Sequence, residues 1–316
     1  MRAIVVSEGS LLLGEAPRPE LGANDLRIAV RATSVNRADL LQREGRYPPP
    51  AGASPILGLE CSGVVSEVGR DVVGWNVGDR AMALLAGGGY AEEVVVHAGS
   101  AMRVPQVLTD EEAAAIPEVF LTAFLNLFML ARVRQGETAL IHGGGSGVGT
   151  AAITLLKLAA VRVLVTAGSD EKCARCLEHG ADVAINYRDE DFVEKARGAN
   201  VILDHIGARY VARDLEAIAP DGRIVIIGSM GGQRTTEIDV AQLLMKRAQI
   251  IGSTLRARPV EEKAAIVTAF LTRFGDDLEA GRIHPVIHEV LPIERAMDAH
   301  RLMEASEHFG KIVLKV

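Results

Sequence analysis

Apolar and polar residues alternate in the early part of this chain and run in blocks through its middle. "LRIAVRAT", Leu26 to Thr33, alternates as a strand with one buried face does. "GVVSEVG", "GDRAMALL" and "YAEEVVVHAG" are further short strands punctuated by glycine. This pattern predicts a small β-barrel. "TDEEAAAIPEVFLTAFLNLFMLARV" follows, with a Thr-x-x-Glu helix start at Thr109 and long helical stretches. From Thr138 strand-like and helix-like blocks take turns: "TALIHG", "GVGTAAITLLKLAA", "RVLVTAG", "EKCARCLEHG", "DVAINY", "VILDHIG", "ARYVARDLEAIA", "RIVIIGS". Continuous apolar strands between amphipathic helices predict a parallel sheet covered on both faces. The expected fold class is α/β, a doubly wound parallel sheet plus a β-barrel domain.

The stretch "LIHGGGSGVGTAAI" lies where the first strand of that sheet gives way to a helix beginning near Val148. A dinucleotide fingerprint has the spacing G-x-G-x-x-G. Counting from Gly143 puts Val148 at the third glycine, and counting from Gly145 puts Thr150 there. The spacing therefore fails while the context holds. A helix N-terminus offers unpaired N–H groups and partial positive charge to a pyrophosphate, and only small residues let it approach. Gly143, Gly144, Gly145, Ser146, Gly147 and Gly149 meet that need. The competing reading is a tight turn that only packs helix on strand.

The next strand bears on the cofactor. An NAD site usually ends its second strand with a carboxylate for the ribose 2′-hydroxyl. Here the strand ends Thr166-Ala167-Gly168-Ser169, and Lys172 follows. Small residues and a cation leave room and charge for a 2′-phosphate, so NADPH is expected over NADH. Asp170 and Glu171 lie close and count against that preference.

Composition changes little in this picture. The chain has 316 residues, enough for two domains, with 48% hydrophobic and 24% charged residues. A net charge of −7 argues against nucleic acid or an anionic membrane as partner. No apolar run reads as long enough to span a bilayer, and "MRAIVVSEGS" does not read as a signal peptide. Three cysteines, sparse and odd in number, suit a reducing compartment, hence the cytoplasm. Cys173 and Cys176 form C-x-x-C, but "DEKCARCLEHG" reads as a helix with an acidic start and a stop at Gly180. With no second pair, the two read as packing residues.

The chain resembles the medium-chain dehydrogenase/reductase superfamily, in which a GroES-like β-barrel domain accompanies a Rossmann domain. Within it, the likeness is to zinc-independent quinone oxidoreductases, closest to the p53-inducible quinone oxidoreductase-like subgroup. "NRADLLQREGRYPPPAGASPILGLECSG", "GDRAMALLAGGGYAE", "LIHGGGSGVGTAAI", "TAGSDEKC", "GSTLRAR" and "HFGKIVL" carry it, and it covers nearly the whole chain. It implies a GroES-like domain formed by residues 1–119 and 257–316 and a Rossmann NADPH-binding domain over 120–256. Zinc-dependent relatives place a cysteine and a histidine where this chain has Asn36, in "SVNRADL", and Leu59, in "GLECSG". Neither suits zinc, and their four-cysteine structural lobe is absent, so no metal is expected. Cys61 alone cannot hold one and reads as a small buried hydrophobe.

Without a metal, a simple ketone lacks a Lewis acid for its developing oxyanion. A quinone or an α,β-unsaturated carbonyl delocalises that charge itself. The resemblance and the chemistry both imply hydride transfer from NADPH to a conjugated small molecule. By resemblance, Asn36, Tyr47 and Ser146 belong at the reacting groups, with Tyr47 able to donate to the reduced oxygen or else packing on the following prolines. Gly144, Ser146, Gly147 and Val148 would contact the cofactor at the helix start, and Gly168, Ser169, Lys172 and Tyr187 would surround its 2′-phosphate. Ser253, Thr254 and Leu255 would lie beside the nicotinamide, with Phe309, Gly310 and Lys311 closing the site. Relatives often carry a tyrosine where this chain has Leu41, which implies a more apolar pocket. "SEGSLLLGEAPRP" and "DFVEKARGANVILD" are shorter than the family pattern, the latter implying a truncated helix before Val201. Two alternatives stay open: an NADPH-dependent enone or enoyl-thioester reductase, and an NADPH-binding protein with little turnover. A homodimer is implied, through an edge strand near "QIIGSTL".

Overall fold

The computed structural model describes residues 1–235 and 238–316. They divide into two compact units, Thr122–Thr254 and a discontinuous one formed by Met1–Leu121 with Leu255–Val316.

The apolar runs of the middle region become a six-stranded parallel sheet. Its strands lie, edge to edge, in the order Val183–Asn186, Arg162–Ala167, Thr138–Ile141, Ala199–Asp204, Ile218–Ile226, Gln249–Gly252. By position in the chain that order is 3-2-1-4-5-6, the doubly wound arrangement of dinucleotide-binding sheets. Leu140, Leu164, Ile185, Ile202 and Ile224 are buried together with Phe192 and Leu215 from the connecting helices. The order reverses beside Thr138–Ile141, so a crevice opens there at the carboxyl ends of the strands. The helix before the fourth strand is a single turn, Phe192–Lys195, short as the sequence implied. The fifth strand begins directly after the helix Val211–Ala217, earlier than its apolar run suggested, and bulges at Asp221, where φ is +59°. Val240, Leu244 and Met245 are exposed on the helix Val240–Lys246, which leads into the outer strand Gln249–Gly252.

The alternating segments of the other unit become a seven-stranded sheet. Six strands run Ile287–Pro292, Lys311–Lys315, Asp25–Ser34, Glu60–Val68, Arg80–Leu84, Ala101–Arg103, and Glu93–His97 pairs with Asp25–Ser34. The inward positions Leu26, Ile28, Val65, Ala81, Ala83, Val94 and Val96 form one core with Cys61, whose thiol is pushed up by burial. A hairpin, Arg2–Ser7 with Ser10–Glu15, contributes Ile4 and Leu11 to a second core with Leu40, Tyr90 and Ile312.

Two sequence readings meet direct observations. Cys173 and Cys176 are free and buried on the helix Asp170–Glu178, with Gly180 beyond it at φ +112°. The expectation that no apolar run could span a bilayer needs correction. Helical Asp110–Leu130 is long and apolar enough by length and composition. Most of that run is buried inside the protein, which accounts for its apolarity.

Candidate functional site

In the unit with the parallel sheet, the glycine loop joins the strand Thr138–Ile141 to the helix Gly147–Leu158. Gly143 turns the chain with φ +65°, a conformation costly for a side chain. Ser146 is the N-cap: its Oγ donates to Gly143 O at 2.8 Å and accepts from Gly149 N at 3.0 Å. Its hydroxyl therefore fixes the loop, which explains why serine stands among the glycines. Ser146, Gly147 and Val148 are half-buried at the helix start, leaving that end accessible. Gly149 carries the close packing. A Cβ there would meet Gly143 O at 2.3 Å and Gly144 C at 2.7 Å. A Cβ on Gly144 would meet Val165 at 2.6 Å. The third glycine of the fingerprint is thus displaced by one residue and still does its packing work.

At the end of the neighbouring strand the sequence-predicted residues come together. A Cβ on Gly168 would lie 2.6 Å from Tyr187 Oη, so only glycine lets that ring sit there. Ser169 Oγ accepts from Lys172 N at 3.2 Å and caps the helix Asp170–Glu178. Burial and the nearby Arg175 and Arg188 cations pull the Lys172 ammonium below its ordinary range, while Glu171 opposes them. Three basic side chains so gathered favour an anion. Asp170, which counted against a phosphate, has its Oδ1 held by Asn186 Nδ2 at 2.9 Å. At the end of the outer strand, Ser253 N donates to Ile226 O at 3.0 Å, and its Oγ is buried with no hydrogen-bond partner. Thr254 is exposed and Leu255 buried.

Beneath the loop lies a polar chain the sequence reading missed. His142 Nε2 is 2.8 Å from Asp214 Oδ1 and Nδ1 is 3.1 Å from Thr166 Oγ1, all three residues being buried. A carboxylate only accepts, so Nε2 carries the hydrogen. Gly143 N donates to Thr166 Oγ1 at 3.2 Å, which leaves the threonine hydroxyl to donate to Nδ1. The first amide of the glycine loop is thus tied through Thr166 and His142 to the helix Val211–Ala217. The only sequence signal is His142 itself, a polar residue ending an apolar strand.

In the other unit Asn36 lies inside a network rather than at its edge. Lys311 Nζ donates to Asn36 Oδ1 at 2.7 Å and Val35 O at 3.0 Å, and lies 2.9 Å from Glu60 Oε1. Glu60 Oε1 also accepts from Asn36 Nδ2 at 2.9 Å and Ser34 Oγ at 2.5 Å. Glu60 Oε2 accepts from Glu118 N at 2.8 Å. Lys311, buried with its three N–H groups engaged, holds Asn36 and Glu60 in place; a direct cofactor contact would have to break that set. Asp39 accepts from Asn36 N at 2.8 Å and Gly58 N at 2.9 Å, and burial pushes its carboxyl up to about 6.

Tyr47 is half-buried under Arg256, whose guanidinium sits 5.3 Å from the ring centre. Arg256 is held by Ala86 O at 2.9 Å and Gln42 Oε1 at 2.5 Å. Burial raises the Tyr47 phenol, with Arg256 opposing and Glu118 adding to the rise. Phe309 and Gly310, which precede Lys311, are buried, Gly310 at φ +87°.

A doubly wound sheet with an open glycine loop, accompanied by a β-sheet unit holding a buried polar cluster, defines a dinucleotide-dependent oxidoreductase. Residues 22–106 match the alcohol dehydrogenase GroES-like domain and residues 147–271 the zinc-binding dehydrogenase family. The chain belongs to the medium-chain dehydrogenase/reductase superfamily. The quinone oxidoreductase of Sus scrofa is 31% identical over 303 residues, covering 92% of this chain and 89% of that protein. The mycocerosic acid synthase-like polyketide synthase of Mycobacterium tuberculosis is 32% identical over 302 residues, 93% of this chain but 14% of that protein. Among solved structures, an NAD-dependent alcohol dehydrogenase superposes with TM-score 0.86 at 33% identity, covering 100% of both chains. A mycobacterial protein complexed with NADPH superposes with TM-score 0.86 at 27% identity, also over 100% of both chains.

Proposed function

We propose that this oxidoreductase is an NADPH-dependent, zinc-independent quinone reductase. The observation that carries the reading is the environment of Asn36. Its amide oxygen accepts the Lys311 ammonium and its amide nitrogen donates to Glu60. Leu59, at the other position where zinc-dependent relatives place a ligand, is buried and has no donor atom. Among the described residues no group of three His, Cys, Asp or Glu could hold a metal. These donors do not fit zinc, so the acceptor must accommodate incoming charge itself, as a quinone does.

The residues at the loop fit a nicotinamide dinucleotide. Its pyrophosphate suits the tight loop that close packing at Gly144 and Gly149 allows and the accessible helix start at Ser146, Gly147 and Val148. Gly168, Ser169, Lys172 and Tyr187 suit a 2′-phosphate, and the unpartnered Ser253 Oγ, with Thr254 and Leu255, suits the nicotinamide end. When bound, that cofactor supplies a hydride. Lys311 fixes Asn36, Arg256 fixes Tyr47, and Tyr47 orients the acceptor oxygen. Ser146 acts as loop cap. The exposed Val240, Leu244 and Met245 support a homodimer, which mass in solution tests, and three free thiols support a reducing, cytoplasmic setting.

Lys172→Ala is expected to raise the Kd for NADPH and leave that for NADH unchanged. Losing a charge-assisted phosphate contact costs about 1.5–3 kcal/mol, or about 10–150-fold. Fluorescence titration with both cofactors checks this, and equal effects would count against the 2′-phosphate site.

Steady-state NADPH oxidation with ortho-naphthoquinone, para-benzoquinone, an enone, an enoyl thioester and a primary alcohol tests the acceptor. Quinones are expected to turn over, the alcohol to be inert, and a chelator to change nothing. Tyr47→Phe is expected to slow turnover by less than about 10²-fold, because quinones are reactive, with NADPH binding kept. Faster turnover of the enoyl thioester would make the protein an enoyl reductase, and tight NADPH binding with no turnover would make it a non-enzymatic binder.

A further inference from the structure

Two carboxyl groups stand side by side in the polar cluster, and the structure treats them differently. Glu60 has both oxygens engaged, by Ser34, Asn36, Lys311 and the backbone of Glu118. Glu118 opens the helix Pro117–Phe124, and its Oε2 is sealed from solvent with no hydrogen-bond partner. A carboxylate so placed is costly, whereas a neutral carboxyl carries its own donor.

The groups facing Glu118 come from several elements. Glu60 lies on one strand and Lys311 on another, Asp39 on the helix Arg37–Arg43, and Lys263 on the helix Val260–Glu279. Tyr47 and Arg256 lie within its electrostatic reach. Lys311 is already committed to Val35, Asn36 and Glu60. Burial and the Glu60 charge push the Glu118 carboxyl up to about 8, with Lys311 and Lys263 opposing and Asp39 adding to the rise. Of the two neighbours, the unpartnered Glu118 carboxyl is therefore the one favoured to hold a proton.

We propose that Glu118 is the proton donor of the acceptor site, giving its carboxyl hydrogen to the oxygen of the reduced acceptor. The inference rests on the quinone-reductase reading. Two-electron reduction of a quinone to a hydroquinone needs a hydride and a proton. The reduced nicotinamide provides the electron pair and the first hydrogen. The O–H bond of Glu118 then breaks as an O–H bond forms on the hydroquinone anion. The resulting carboxylate, on a side chain that is half-buried rather than fully enclosed, regains its proton from water. Tyr47, within its electrostatic reach, orients that oxygen.

Glu118→Gln keeps the shape and removes the acid. The variant is expected to bind NADPH as the parent does and to lose about 10²-fold in kcat with quinone, the low end for a general acid. Parent kcat is expected to fall as pH rises through about 8, the protonated form being the active one. That alkaline fall is expected to vanish in Glu118→Gln and return in Glu118→Asp. A second readout needs neither cofactor nor turnover. Infrared difference spectra of the parent protein at neutral pH should contain a protonated-carboxyl band that titrates near 8 and is missing from Glu118→Gln. A parent that reduces quinones while Glu118→Gln keeps its kcat and alkaline fall would overturn the assignment. So would a parent without that infrared band. A parent that binds NADPH but reduces no acceptor would instead sink the quinone reading, and the donor role with it.

Discussion

Gly149→Val is expected to leave a protein that folds but binds a nicotinamide dinucleotide about 10²–10⁴-fold more weakly. The cause is local backbone geometry. Gly149 has an ordinary negative φ, so a side chain brings no conformational penalty there, only collision. The Cβ would stand 2.3 Å from Gly143 O and 2.7 Å from Gly144 O. Both are backbone atoms, which cannot rotate aside. Relief requires the loop to back away from the helix by about 1 Å, a displacement of the kind that costs about 10²-fold when it spoils alignment. It would also break the cap in which Gly149 N donates to Ser146 Oγ. Losing two charge-assisted pyrophosphate contacts, at about 1.5–3 kcal/mol each, sums to about 3–6 kcal/mol, or about 10²–10⁴-fold. Circular dichroism establishes that the variant folds, and titration reads the affinity. Parent-like binding by a folded variant would mean that the loop is only a turn.

Much of this half of the site was legible in the sequence because its parts are neighbours along the chain. A strand, five glycines, a serine and a helix lie within one short stretch. The irregular spacing obscured only which glycine packs closest, since that depends on where the helix axis runs. Lys172 and its capping Ser169 were legible for the same reason. The approach of Tyr187 to Gly168 was reached through resemblance, because two strands must pair before the ring meets the glycine. Asn36 and Lys311 are 275 residues apart, and nothing in either segment announces their contact. Glu60 stood inside a stretch read for its neighbour Leu59, and Glu118 inside a run whose apolar residues drew the attention. Buried charges leave little pattern in a sequence, because one polar residue among apolar ones looks the same whether it faces solvent or a partner. The same limit applied to Asp110–Leu130, whose apolarity comes from burial in protein.

The buried pair beneath the glycine loop sets a stability cost for losing His142. His142→Ala is expected to lower the unfolding free energy by about 3–5 kcal/mol at neutral pH, because it leaves the buried Asp214 carboxylate without its hydrogen-bond partner. Asp214 is fully buried, and its Oδ2 already lacks a partner. Removing His142 strips Oδ1 as well. It also opens a space beside the Phe192 and Tyr210 rings, whose centres lie 4.8 Å and 4.7 Å from the imidazole. Asp204 makes the loss depend on pH. Burial and the Asp214 charge push its carboxyl from 3.8 up to about 6, while His142 pulls it down. The native state therefore binds the Asp204 proton more tightly than the unfolded chain does. Its contribution to stability is complete below 3.8 and is lost as pH rises through about 6. Without His142 the folded value moves higher, and the penalty at pH 7 should exceed that at pH 5. Urea melts at both pH values measure the difference. The double variant His142→Ala with Asp214→Ala should recover part of the loss, because no carboxylate is then left bare at that position. A loss below about 1 kcal/mol, as for an exposed pair, would show that water reaches the site and that the pair does not hold the loop's first amide in place.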